Sequence, residues 1–143
     1  MKVCIPYTSI ESEQMGWDYL LSNFQPDEIF ILAKPGQELP ATNVFGKGTL
    51  IHSYKELPED HDLVLLAPKE GTYIQGDRPI FSFVHPKYPI YIVGENHKII
   101  HPDEFEGRKI DYKVYIPTDT KDEMFNWTAM TVILYDRKIK FHG

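Results

Sequence analysis

The stretch from Tyr91 to Thr128 decides how this chain is read, through three pieces of it: Tyr91-Ile92-Val93-Gly94-Glu95-Asn96, Val114-Tyr115-Ile116-Pro117-Thr118 and Met124-Phe125-Asn126-Trp127-Thr128. The first is an apolar run that ends in a glycine turn. The second is an apolar run that ends in a proline turn. The third opens an apolar helix that continues through Ala129, Val132, Ile133, Leu134 and Tyr135. A strand–turn, strand–turn, helix series puts exposed backbone beside the ends of buried strands, which is where open α/β sheets bind ligands.

Outward from this core, the N-terminal part alternates strand and helix. Val3 to Tyr7 reads as a short first strand, with Pro6 near its exit. Thr8 or Ser9 is placed to cap a helix whose first turn carries Glu11 and Glu13, which favour a helix N-terminus. Met15, Tyr19, Leu20 and Phe24 give that helix an apolar stripe, and Pro26-Asp27 breaks it. Glu28 to Ala33 is a second strand, nearly all apolar, as expected for a sheet covered on both faces. Between Lys34 and Leu57 the chain is punctuated by Pro35-Gly36, Pro40, Gly46 and Gly48, with Thr49 to His52 as a short strand. Leu63 to Ala67 reads as a buried strand and Lys69 to Arg78 as an exposed loop. Ile80 to Val84 reads as the next strand, closed by His85-Pro86. Pro89 to Val93 and Lys113 to Ile116 follow, and a final helix covers roughly 122–138. Short apolar strands with intervening segments favour one α/β domain over 1–143, with a mostly parallel sheet flanked by helices. A mixed α+β sheet is the alternative.

Composition bounds the function. The 143 residues suffice for one real core, and 42% hydrophobic with 25% charged residues is ordinary for a globular protein. No apolar run is long enough to span a bilayer. The first residues, Met1 to Pro6, lack the apolar core and cleavage site of a signal peptide, and the lone Cys4 cannot form an internal disulfide. The expectation is a cytoplasmic protein with no membrane partner. The net charge of −6 weighs against broad, non-specific nucleic-acid binding. Two local basic groups remain, Arg137-Lys138-Ile139-Lys140-Phe141-His142 and the set Arg108, Lys109 and Lys113.

Common catalytic patterns are missing. There is no phosphate loop, no Gly-x-Gly-x-x-Gly fingerprint and no Gly-x-Ser-x-Gly elbow. His97 and His101 are four apart, but no Glu follows His97 and no cysteine pair supports zinc, so no metal site is expected. Tyr54, Tyr73 and Tyr112 stand in loop-like contexts and are candidates for stacking on bases.

The ordered set Gly94-Glu95-Asn96, Ile116-Pro117, Met124-Phe125-Asn126 and Ile133-Leu134-Tyr135-Asp136 resembles the C-terminal half of the SPOUT (trefoil-knotted) RNA methyltransferases. It lies nearest their tRNA/rRNA 2′-O-ribose branch. His85-Pro86 looks like the turn before the glycine strand of that family. The match covers about 80–138, so the resemblance implies a C-terminal trefoil knot in this part. It also implies an S-adenosylmethionine pocket formed by the loops at His85-Pro86, Val93-Gly94 and Ile116-Pro117, with Phe125 beside them. By the same resemblance, Glu95 or Asn96 would orient or deprotonate the acceptor, and Asn126 would hold the loop geometry. The implied substrate is RNA, either tRNA or rRNA, and the implied assembly is a homodimer through the C-terminal helix. The sequence departs from the ribose-methylating pattern at three places. No arginine occurs from Thr8 to Asn23, where those members carry one, Asn96 stands where their glutamate does, with Glu95 adjacent, and Met124 replaces their serine. A base-methylating enzyme, or a non-catalytic dimeric module that keeps the cofactor pocket, therefore stands beside the ribose methylator.

Overall fold

The computed structural model describes residues 1–40, 45–120 and 124–142. Nine regular elements follow one another: β1 (Lys2–Pro6), α1 (Glu11–Phe24), β2 (Glu28–Leu32), β3 (Thr49–Ile51), β4 (Asp62–Leu66), β5 (Arg78–Pro79), β6 (Pro89–Ile92), β7 (Tyr112–Tyr115) and α2 (Asn126–His142) among the described residues. All seven strands join one sheet in the order β3-β2-β1-β6-β4-β7-β5. Every pairing is parallel. The α/β reading holds, and the sheet is wholly parallel.

Strand alternation divides the core into two layers. Val3, Ile5, Ile29, Ile31, Val64, Tyr91 and Val114 point to one face. Cys4, Phe30, Leu63, Leu65, Ile90 and Ile92 point to the other. A period of two along each strand forces this division. Both long helices cover the first face, α1 through Trp17 and Leu21, α2 through Met130, Ile133 and Leu134. Among the described residues, the second face has no long helix. Short 3₁₀ turns at Tyr54–Glu56 and Pro102–Phe105 plug it instead, their Tyr54 and Phe105 rings stacked at 4.4 Å. Tyr54, a candidate for base stacking, is 3% exposed and belongs to this plug.

Four local readings change. The buried face of α1 is Gln14, Trp17 and Leu21, while Met15 and Tyr19 face outward. Both sets fit a helical period, and the larger Trp17 takes the core. No Thr8 or Ser9 side chain caps the first turn in the usual way. Ile10 occupies the cap position, and the Thr8 hydroxyl accepts from its N–H and donates to Glu13. The run Ile80 to Val84 is not a strand. It is a 3₁₀ turn, Ile80–Ser82, after the two-residue edge strand β5. Ile80 and Phe83 are buried whereas Phe81 and Val84 are exposed, a spacing of three that suits a 3₁₀ turn and not a pleat. The final helix starts at Asn126, and Asp122 lies outside the described residues.

One connection sets up the site. β7 lies between β4 and β5, and the loop 67–77 that joins those two strands passes against it. Ala67 N–H donates to Val114 O at 2.9 Å and Asp77 N–H to Lys113 O at 3.0 Å. At the crossing, a Cβ on Gly76 would lie 2.7 Å from both Ala67 O and Tyr115 Cβ. Only glycine allows this approach of backbone to backbone.

Candidate functional site

The parallel strands β4, β6 and β7 end side by side, and a cleft of about 470 Å³ opens beyond their carboxyl ends. Leu66 to Glu70 after β4 forms one wall. Val93 to Asn96 after β6 and Val114 to Thr118 at the end of β7 form the others, and Met124 just before α2, with Asn126 and Ala129 of α2, closes it. The walls are mostly apolar, and the polar groups come from turns and from the helix start.

Two asparagines hold the turn after β6 to the start of α2. The first N–H groups of a helix have no partner inside it. Here the Asn126 N–H donates to Asn96 Oδ1 at 2.8 Å. The Asn126 side chain donates back to the Gly94 carbonyl at 3.0 Å. Asn96 thereby fixes the backbone of Asn126, and Asn126 that of Gly94. Glu95, 43% exposed at its side chain, pairs with Lys98 at 2.7 Å, and this carboxylate raises the lysine pKa. A Cβ on Gly94 would meet the Ile100 side chain at 2.6 Å. The glycine thus lets the loop that follows fold back over its own strand end.

Of the residues singled out from sequence, Val93, Gly94, Glu95, Asn96, Ile116, Pro117 and Asn126 line this one cleft. His85, Pro86 and Phe125 do not. Phe125 is half exposed beside the cleft, with its ring against His97 and Trp127. His85 belongs to the other end of α2, about 15 Å along the helix from Asn126. There Nε2 meets Asp136 at 2.7 Å and Nδ1 meets the Tyr91 hydroxyl at 2.6 Å. A carboxylate only accepts, so Nε2 carries the proton and Nδ1 accepts from Tyr91. Lys140 completes the corner. Its ammonium pairs with Asp136 at 2.8 Å and donates to the carbonyls of Ile80 and Phe83. Burial lowers the His85 pKa, with Asp136 pulling the other way, and burial pushes the Tyr91 hydroxyl above its ordinary range.

Sequence reading missed the wall from Leu66 to Glu70, as well as Phe81, Met124 and Ala129. The signal for the first was present, since a buried strand that runs into Pro68 must expose its last backbone groups. Phe81 was hidden by reading its run as a strand. The basic sets are also partly committed. Arg108 donates to the carbonyls of Leu57 and Pro58, Arg137 lies over the Phe141 ring at 4.7 Å, and Lys140 is held as described. His97 and His101 share no helix. His97 has a φ of 62°, and the His101 ring lies against Tyr73. Among the described residues, no cluster of three or more His, Cys, Asp or Glu is arranged to hold a metal ion. No helix among them is long and apolar enough to cross a membrane.

No protein-family model and no curated protein matches the sequence. Solved structures do match the fold. One is the SpoU methyltransferase AviRb from Streptomyces viridochromogenes in complex with AdoMet (TM-score 0.71, 14% identity), which covers 100% of this chain and 58% of its own. A second is the A. aeolicus TrmH/SpoU tRNA modifying enzyme (TM-score 0.70, 13% identity), covering 97% of this chain and 76% of its own. A third is a Bacillus anthracis protein provisionally assigned as an RNA methyltransferase (TM-score 0.69, 15% identity), covering 99% and 96%. The chain therefore has the fold of the SpoU/TrmH methyltransferase structures.

Proposed function

We propose that this chain is an S-adenosylmethionine-dependent RNA methyltransferase of the SPOUT type, with the cleft beyond β4, β6 and β7 as its cofactor site. The observation that carries this reading is the Asn96–Asn126–Gly94 bracket. It fixes one turn and a helix start beside a cleft in a fold shared with a structure that holds AdoMet. The lining suits that ligand. Its volume falls within the usual range for small-molecule sites, and apolar walls with a few directed polar groups are the usual composition. Val93, Ile116 and Pro117 would flank the nucleoside, and backbone groups beside Gly94 would read it. When bound, S-adenosylmethionine supplies a methyl group already activated by its sulfonium charge. The protein's share is then to orient the acceptor and to take its proton. Glu95 is the carboxylate we assign to that task, while Asn96 and Asn126 are occupied in holding the frame.

The insertion of β7 between β4 and β5, under the loop that Gly76 lets close, supports a chain threaded through that loop as a trefoil knot. The same reading includes an RNA acceptor such as tRNA or rRNA, a cytoplasmic site of action and a homodimer. Tyr135 and Ile139, four apart and half exposed on α2, support the dimer. One observation favours the non-catalytic binding module. Glu95 is already ion-paired and both asparagines are spent on the backbone, so no free base faces the cleft from the β6 turn.

Calorimetry with S-adenosylmethionine and S-adenosylhomocysteine tests the site. Micromolar binding is expected, and it should vanish in Gly94→Val, which drives a branched side chain into Ile100 and displaces Glu95 and Asn96. Absence of binding to the native chain removes both readings. Binding without methyl transfer to RNA selects the module.

A further inference from the structure

Phe81 is the anomaly of the cleft. Its ring lines the cavity and yet is 72% exposed, whereas Val93 and Val114, which line it too, are almost wholly covered. The turn that carries it does not drift. Ile80 and Phe83 on either side are buried, and Phe83 N–H closes the turn on the Ile80 carbonyl at 3.1 Å. Lys140 then ties down both ends, donating to the Ile80 carbonyl at 2.6 Å and to the Phe83 carbonyl at 2.9 Å. A flat ring projected from a fixed backbone is preorganised for a flat partner, because little freedom is lost when that partner arrives.

Of the charged residues that line the cleft, Lys69, Glu70 and Glu95, the lysine is the one that suits the proposed partner. Lys69 lines the same cleft, and its ammonium lies 5.6 Å from the Tyr115 ring centre. Arg78, three residues before Phe81, holds its guanidinium 5.6 Å from the Tyr112 ring centre. Both are exposed residues. An exposed ring in a cleft that also carries a lysine is a combination that binds single-stranded nucleic acid, where a base stacks on the ring and the cation meets a phosphate. A base stacked within a duplex has no free face to offer. We propose that Phe81 is a stacking platform for an unpaired base of the RNA, and so sets the substrate class as a single-stranded or looped segment. This rests on the RNA-methyltransferase reading of the cleft.

The test uses a single-stranded RNA octamer containing 2-aminopurine, whose fluorescence falls on stacking, added to the full chain saturated with S-adenosylhomocysteine. The native protein should quench the probe and bind the fully paired form of the same sequence far more weakly. Phe81→Ala should weaken probe binding by about 5- to 100-fold and abolish the quench. Phe81→Trp should restore both. The proposal is overturned if Phe81→Ala binds and quenches like the native chain, or if the duplex binds as well as the single strand. It is also overturned if Phe81→Ala loses as much affinity for S-adenosylhomocysteine as for RNA, since the ring would then be a cofactor wall. The two readings fail separately. A native chain that binds S-adenosylhomocysteine but not the probe ends the stacking proposal alone. A native chain that binds the probe through Phe81 but not S-adenosylhomocysteine ends the cofactor reading alone.

Discussion

The two ends of α2 are anchored to the same strand, β6, by opposite means. At its start, Asn126 and Asn96 exchange hydrogen bonds with backbone groups beside an open cleft. At its finish, Asp136 and Lys140 close over His85 and Tyr91, two side chains that water barely reaches. The first anchor uses neutral amides, which fix geometry at small electrostatic cost and leave the surroundings free for a ligand. The second uses a charged carboxylate, a lysine and an imidazole. Its value lies in mutual satisfaction, because the buried imidazole and the partly buried charges would each be costly alone. The difference separates a place built to receive something from a place built to stay shut.

The comparison breaks most decisively at Asp136. Asp136→Ala leaves the His85 Nε2–H without its acceptor and the Lys140 ammonium without its carboxylate. We expect a loss of about 3 kcal/mol in urea denaturation, with affinity for S-adenosylhomocysteine within twofold of native when measured where the protein is folded. A parallel collapse of affinity would show that the closed end also shapes the cleft. A smaller effect is expected at the open end. Asn126→Ala removes the bond to Gly94 but leaves its own N–H on Asn96, so stability should fall by about 1 kcal/mol. Ligand affinity should nevertheless fall at least tenfold, because the β6 turn is then untethered. Calorimetry alongside denaturation reads the two effects apart, and equal losses in both would erase the distinction between the ends.

The open end was legible in the sequence because glycine, proline and asparagine declare turns at the ends of apolar runs, and Gly94, Pro117 and Asn126 all stand where such turns are needed. The closed end was not. His85 and Asp136 are 51 residues apart and only tertiary packing joins them. Adjacency to Pro86 placed His85 in the turn before β6, which is correct, and that turn lies at the far side of the sheet from the cleft. The strands were legible through their apolar runs, with one failure. Ile80 to Val84 has the composition of a strand, but Pro79 cannot donate to a ladder, so the chain leaves the sheet there and tightens into a 3₁₀ turn. The second face of the sheet was harder still. The Ser53-x-x-Glu56 box that starts the Tyr54 turn is a readable cap, and its backbone and side-chain bonds are both present. Nothing local, however, announces that Tyr54 will meet Phe105.

The mildest test separates the ends by proton alone. Burial holds the His85 pKa below its ordinary 6.5. In the unfolded chain the imidazole gains a proton as pH falls through that value, while in the folded chain it does not until a lower pH. Below 6.5 the unfolded state therefore binds more protons, and stability falls with acidification until the depressed folded pKa is reached. Above 6.5 this contribution is fully present. Tyr91, Asp136, Lys140 and Arg137 all face the ring and do not change that sign, since Asp136 only partly offsets the burial. The window is distinct from that of Asp27, whose carboxylate the N-terminal ammonium holds below its ordinary 3.8, so that its loss comes only in stronger acid. Urea denaturation at steps from pH 7.5 to 5 should show the native chain losing stability by no more than about 1.4 kcal/mol per pH unit from this group. His85→Gln should start less stable and vary less over the same range. No histidine lines the cleft among the described residues. Affinity for S-adenosylhomocysteine should then stay level between pH 7.5 and 6 while the folded state persists. A cleft that titrates together with His85 would join the two ends of α2 into one unit.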